Sequence, residues 1–168
     1  MSSASTEAAP GPAEARLGSV VIRFTRSAED LAARVAMARR VYEERDDGLP
    51  YDEDMIRGAL ERRLKRPDGC LLQAELDGRV IGGVVGSIGP HYHSPALAAL
   101  LESFYVLPEH RGSIAFVKLL HAFRRWAATN GAVRMYVCVT SGVEIARTDR
   151  LLKRLGFEPT GGNYRLSL

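Results

Sequence analysis

The sequence predicts an α/β domain built on a mixed sheet with helices on both faces. Three observations carry this. The apolar pattern switches repeatedly between a two-residue and a 3.6-residue period, in the order β-α-α-β-β-β-α-β-α-β. An Asp77-Gly78 pair separates two apolar runs, the pattern of a tight hairpin. The 168 residues suffice for one domain and are too few for two.

Taken in order, residues 1–17 (MSSASTEAAPGPAEARL) have no apolar periodicity and are predicted to be a disordered extension, leaving 18–168 as the single folded domain. Ser19–Thr25 is rich in β-branched residues and reads as the first strand. Ser27, with Asp30 three positions on, caps a helix whose inner face carries Leu31, Val35, Ala38 and Tyr42. After Gly48-Leu49-Pro50 a second helix runs from about Asp54 to Lys65. The hairpin strands are Cys70–Leu76 and Arg79–Ile88, with Gly82 and Gly83 marking a bulge or a close backbone approach. A loop, Gly89–Pro95, leads to a strand over about Ala99–Leu107, closed by Pro108. Ser113–Thr129 is a long helix with Phe116, Leu119, Leu120, Phe123 and Ala127 on its core face, ended by Asn130-Gly131. A strand at Val133–Thr140, a helix at Val143–Leu155 stopped by Gly156, and a strand at Gly162–Leu168 complete the chain.

Composition excludes several classes. The chain is 46% hydrophobic and 26% charged, ordinary for a globular protein, and no apolar run approaches the ~20 residues of a membrane span. With no secretory leader pattern at its start, the expected compartment is the cytoplasm. A net charge of +3 is too small a surplus for a nucleic-acid-binding face. Cys70 and Cys138 each sit in an apolar stretch and read as buried small hydrophobes.

The segment from Glu102 to Leu120 carries the chemistry. A strand stops at Pro108, and a turn containing Arg111-Gly112 opens a helix. The first amides of a helix lack internal partners and lie at the positive end of its dipole, so such a turn suits an anion, and Arg111 adds a donor suited to phosphate. By itself the pattern fits an ordinary strand-to-helix connection equally well.

The run Y-V-L-P-E-H-R-G, followed by a helix, a strand and L-L-K-R-L-G-F, resembles the GCN5-related N-acetyltransferases (GNAT), and the upstream L-D-G-R-V-I-G hairpin fits too. The resemblance spans about Ser19 to Leu168. It implies the GNAT-like acyl-CoA N-acyltransferase fold, a twisted mixed sheet of about six to seven strands flanked by about four helices. It also implies acetyl-CoA as co-substrate and a small-molecule or peptide amine as acceptor, and it allows a homodimer; no metal and no nucleic-acid or membrane partner is expected, from the charge, the apolar runs and the histidine spacing. Residues implied at the cofactor are Val106 and Leu107 for the pantetheine arm, with Arg111, Gly112, Ser113, Ile114, Ala115 and Phe116 around the pyrophosphate. The family's loop has the form Arg/Gln-x-x-Gly-x-Gly/Ala, and here Ile114 and Phe116 replace the later glycines, which elsewhere keep Cβ atoms away from the phosphates. Donor binding therefore requires both side chains to point clear of the turn.

A general base must take a proton from the attacking amine. Glu102 is the candidate, because it is a carboxylate inside the apolar run A-A-L-L-E-S-F-Y-V and the polyamine-acetylating branch carries Leu-Glu-Asp-Phe-Phe-Val with its Glu as base. The competing reading is a structural Glu paired with an Arg on an adjacent strand. The family's usual acid, a Tyr four residues before the last glycine of the motif, is Leu152 here, so the acid is unassigned. Tyr105, Tyr136 and Tyr164 are the phenols left, and a thiol of pKa ~8.5 can also leave unassisted.

His91 and His93 form a weak metal pair and fit better as acceptor contacts, together with Tyr105. The acidic run from Glu43 to Asp54 is either an amine-attracting lip or a solvated turn. Arg147, Arg150, Lys153 and Arg154 on the last helix are either a solvated face or a reach toward a donor phosphate. The predicted activity is acetyl transfer from acetyl-CoA to a primary amine by direct attack in a ternary complex. The alternatives are a catalytically impaired CoA-binding or regulatory module, suggested by Ile114, Phe116 and Leu152, or a structural protein that uses the fold alone.

Overall fold

Asp77 and Gly78 both adopt positive φ, 50° and 75°, so the tight turn sets the register of the hairpin it joins. A computed structural model describes residues 19–45, 48–140, 142–164 and 166, and the predicted extension at 1–17 lies outside them. The elements are β1 (Val21–Phe24), α1 (Ala28–Arg45), α2 (Glu53–Lys65), β2 (Gly69–Leu76), β3 (Arg79–His91), β4 (Ser94–Val106), α3 (Ala115–Thr129), β5 (Arg134–Val137) and α4 (Ile145–Arg154). The strands form one sheet in sequential order, antiparallel except for the parallel β4–β5 pair. This is the mixed sheet with four helices that the sequence predicts.

The caps follow local chemistry. The Ser27 hydroxyl accepts from the Asp30 amide, and the Asp30 carboxylate accepts from the Ser27 amide, each at 3.1 Å. Asp52 caps α2 by accepting from the Met55 amide. Two apolar layers sandwich the sheet. Leu119, Phe123 and Ala127 of α3 pack with Val84, Ala99 and Leu101 on one face, joined by Leu152 from α4. Val35 and Leu60 of α1 and α2 pack with Leu71 on the other. Phe123, Leu119 and Leu101 are 0% exposed, so this layer supplies most of the apolar burial.

Both readings of the Gly82-Gly83 pair hold. Opposite Glu75 and Ala74 the register passes from Val80 to Gly82, a bulge at Ile81. At Gly83 a Cβ would overlap the guanidinium of Arg34, which is buried on α1, donates to the Val84 carbonyl at 3.1 Å and has its pKa pulled down to about 10 by burial.

Three sequence expectations need correction. The segment Gly89–Pro95 is not a loop: β3 runs to His91, β4 starts at Ser94, and only Tyr92 and His93 turn. Pro90 and Pro95 are tolerated because the hairpin tip projects beyond its neighbours, β2 pairing with β3 no further than Ser87 and β5 with β4 no earlier than Ala98. Among the described residues the sheet has five strands instead of six to seven. Of the predicted last strand, residues 162–164 and 166 lie in no strand and the others fall outside the described residues. Finally, Cys70 is buried, its thiol pushed up to about 12 by desolvation, but Cys138 is only half-buried.

Candidate active site

Strands β4 and β5 pair from Ala98 and Arg134 to Leu101 and Val137, with one further bond from the Cys138 amide to the Leu101 carbonyl. Beyond that point β4 continues to Val106 while the other chain turns away. Among the described residues, Ser103–Val106 is therefore paired on its β3 side alone. The fork opens a cavity of about 550 Å³, within the usual range for small-molecule sites. Its walls are the end of β4, the turn and first residues of α3, Val137 at the end of β5 with residues 138–140 beyond it, the inner face of α4, and Val41, Glu44 and Arg45 of α1.

Glu102 is placed here by a bulge. Ser103 pairs with Val85 and Leu101 with Gly86, leaving Glu102 as the extra residue on β4. Glu102 lines the cavity, and its carboxylate accepts from Arg63 Nη2 at 2.5 Å and from Ser87 Oγ at 2.6 Å. The arginine comes from α2, not from an adjacent strand. The pairing places Glu102 between helix and cavity, with both oxygens oriented and the side chain 30% exposed.

A second carboxylate, Glu44, enters from α1. Arg111 grips it with both terminal nitrogens at 2.5 Å, and the Tyr105 hydroxyl donates to it at 2.9 Å. The Arg111 Nε donates to the Val106 carbonyl at 3.2 Å, and its guanidinium lies over the Tyr105 ring. The Arg111 guanidinium holds the Glu44 carboxyl below its ordinary range against an opposing push from burial. Burial, then the bond to Glu44, pushes the Tyr105 phenol up to about 12. Sequence reading placed Glu44 in the acidic run without a partner. The available signal was its helical spacing from Val41, which continues the inner face of α1.

Below Arg111 the backbone turns through Gly112 at φ +91°, a conformation that favours glycine. Ser113 Oγ accepts from the Ala115 amide, and among the described residues the amides of Gly112, Ile114, Phe116 and Val117 have no intramolecular partner. Ile114 is 56% exposed and points out of the protein. Phe116 packs edge-on against Phe104, ring centres 4.1 Å apart, forming wall instead of plug. Val106, Arg111, Gly112, Ser113 and Phe116 thus line the cavity, whereas Leu107, Ile114 and Ala115 do not. The Leu107 amide is spent on the Ile81 carbonyl, and Ala115 is buried in the core.

The remaining candidates lie elsewhere. His91 Nε2 is 3.0 Å from the Tyr136 hydroxyl, and His93 stands at the hairpin tip with its edge to Tyr92; neither histidine lines the cavity. Leu152 is turned into the core. Tyr164 is 98% exposed. Cys138, expected in the core, lines the cavity. Among the described residues no cluster of three His, Cys, Asp or Glu is placed to hold a metal, and no helix is long and apolar enough to cross a membrane.

Comparison with known proteins agrees with this architecture. An aminoglycoside N-acetyltransferase, AAC(6')-Iy in complex with CoA, superposes with a TM-score of 0.75 at 21% identity, over 92% of this chain and 97% of that one. The same enzyme bound to the bisubstrate analogue CoA-S-monomethyl-acetylneamine gives 0.72 at 23% identity, over 89% and 99%. AAC(6')-Ih from Acinetobacter baumannii gives 0.71 at 19% identity, over 89% and 98%. At these identities the likeness shows the fold. No curated protein matches by sequence. The family model for the acetyltransferase (GNAT) family matches residues 34–157, well over half of the chain, and the chain belongs to that family.

Proposed function

We propose that the protein transfers an acetyl group from acetyl-CoA to a primary amine by direct attack in a ternary complex. The observation that carries this reading is the fork between β4 and β5, with an unpaired strand edge on one side and the unpartnered amides of Gly112, Ile114, Phe116 and Val117 at its end. An extended amide-containing arm suits the first feature and a diphosphate the second. A bound acetyl-CoA would supply the thioester, whose acyl carbon accepts the amine as the C–N bond forms and the C–S bond breaks.

Within this reading Glu102 takes the ammonium proton, directly or through water, because it is a cavity-lining residue whose carboxylate oxygens are already oriented by Arg63 and Ser87. Free backbone donors of β4 would polarise the thioester carbonyl. The thiol needs no dedicated acid, which agrees with Leu152 lying in the core. Acceptors with one amine fit better than polycations, since Glu44, Glu102 and Glu144, the carboxylates of the wall among the described residues, each face an arginine.

The test is release of free thiol from acetyl-CoA across a panel of primary amines, beside calorimetric binding of CoA. Thiol release that depends on the amine is the expected result. Binding without release on any amine would favour the regulatory module, and absence of binding would leave a structural role.

A further inference from the structure

We propose that the inner face of α4, bearing Arg147, Arg150 and Arg154, is the anion wall that receives the phosphates of the acyl donor. The inference rests on the donor reading given above and names residues that this reading leaves open.

Helical spacing puts the three arginines within about 60° of arc and along about 10 Å of helix. All three line the cavity, together with Leu151, while Lys153 lies on another side of the helix and pairs with Asp149 at 2.8 Å. Their row begins at the turn: Arg147 Nη2 lies 3.1 Å from the place a Cβ would occupy on Gly112. The cationic row and the unpartnered amides of the turn thus face one space from two sides.

The charges nearby are committed to different degrees. Arg111, the cation that the motif offers for a phosphate, spends both terminal nitrogens on Glu44 and Nε on Val106, with the pair only 22% and 23% exposed. Moving Arg111 to a ligand would leave Glu44 unpaired in the cavity wall, an expensive exchange. Arg147 is held by Glu144 in an i,i+3 pair with both side chains about half exposed, which is weak and easily redirected. Arg150 and Arg154 form no ion pair among the described residues. A row of three cations, two of them uncommitted, suits a ligand with more than one phosphate, since guanidinium groups bind phosphate oxygens in pairs. It also offsets the bulk of Ile114 and Phe116 by moving part of the grip from backbone to side chains.

The experiment titrates the full chain with CoA and with pantetheine, which lacks the nucleotide phosphates. Arg150→Glu/Arg154→Glu is expected to weaken CoA about 30-fold, to leave pantetheine unchanged and to flatten the salt dependence of CoA binding. Arg150→Lys/Arg154→Lys should retain most of the affinity, and unchanged thermal unfolding shows that the fold survives. CoA affinity unaltered by the charge reversal overturns the proposal, as does an equal loss for both ligands. Failure of the unaltered protein to bind CoA overturns the donor reading and this inference with it.

Discussion

Helix α1 carries a carboxylate near each end, Asp30 and Glu44, and each meets an arginine at 2.5 Å. Their surroundings differ. Asp30 is 5% exposed and all its bonds are internal, to Arg23, to the amides of Arg26 and Ser27, and to Gln73, which in turn meets Thr25 and Glu75. Glu44 opens on one side to the cavity. Asp30 and Arg23 also border a hollow, of about 500 Å³ between α1 and the β2–β3 turn, so an ion pair beside open space does not by itself mark a functional site; the parting of β4 from β5, which leaves a strand edge unpaired, sets the Glu44 cavity apart. Asp30 ties β1 and β2 to α1, whereas Glu44 ties α1 to the turn before α3.

The contrast can be broken most sharply by removing the enclosed carboxylate. Asp30→Ala takes one of the two acceptors of the Gln73 amide, leaves the amides of Arg26 and Ser27 without their acceptor and removes half of the capping box, so urea denaturation should show a loss of about 3 kcal/mol. Activity per folded molecule should be unchanged. Comparable stability would show that the cluster is dispensable. Glu102→Gln should do the reverse, lowering turnover by about 50-fold with a stability change under about 1 kcal/mol, because the Gln oxygen still accepts from Arg63 while the Ser87 hydroxyl can turn to accept from the Gln Nε2. Full turnover in that variant would remove Glu102 as the base.

Acid should separate the clusters next. Arg23, with the amides of Arg26 and Ser27, holds the Asp30 carboxyl well below the ordinary range. A depressed folded pKa gives stabilisation that is complete above the unfolded value, near 4, and is lost as pH falls through the folded value. The urea midpoint should thus drop as pH is lowered below about 4, and drop less steeply in Asp30→Asn. Equal slopes would show that other carboxylates dominate.

The smallest effect is spectroscopic. Glu44→Gln removes the carboxylate that adds to burial in pushing Tyr105 to about 12, so that phenol should titrate closer to 10, read as ultraviolet absorbance against a Tyr105→Phe control. No shift would mean that burial alone sets it.

Local features of the fold were legible in the sequence. Asp77-Gly78 fixed the hairpin, Ser27 with Asp30 the start of α1, and Asn130-Gly131 the end of α3, since each depends on atoms a few residues apart. Gly89, Pro90 and Pro95 misled because their meaning depends on whether a third strand lies alongside, and none reaches the hairpin tip.

For the site, the oddity of Glu102 in an apolar run was visible, but its partner was not. Arg63 stands 39 residues away and Arg111 stands 67 from Glu44. Caps, turns and apolar faces follow from the chain's own short-range geometry. The choice of which charge meets which, and the room left between β4 and β5, follow from how distant segments are packed together, because electrostatic attraction has no sequence range and a cavity belongs to no single segment.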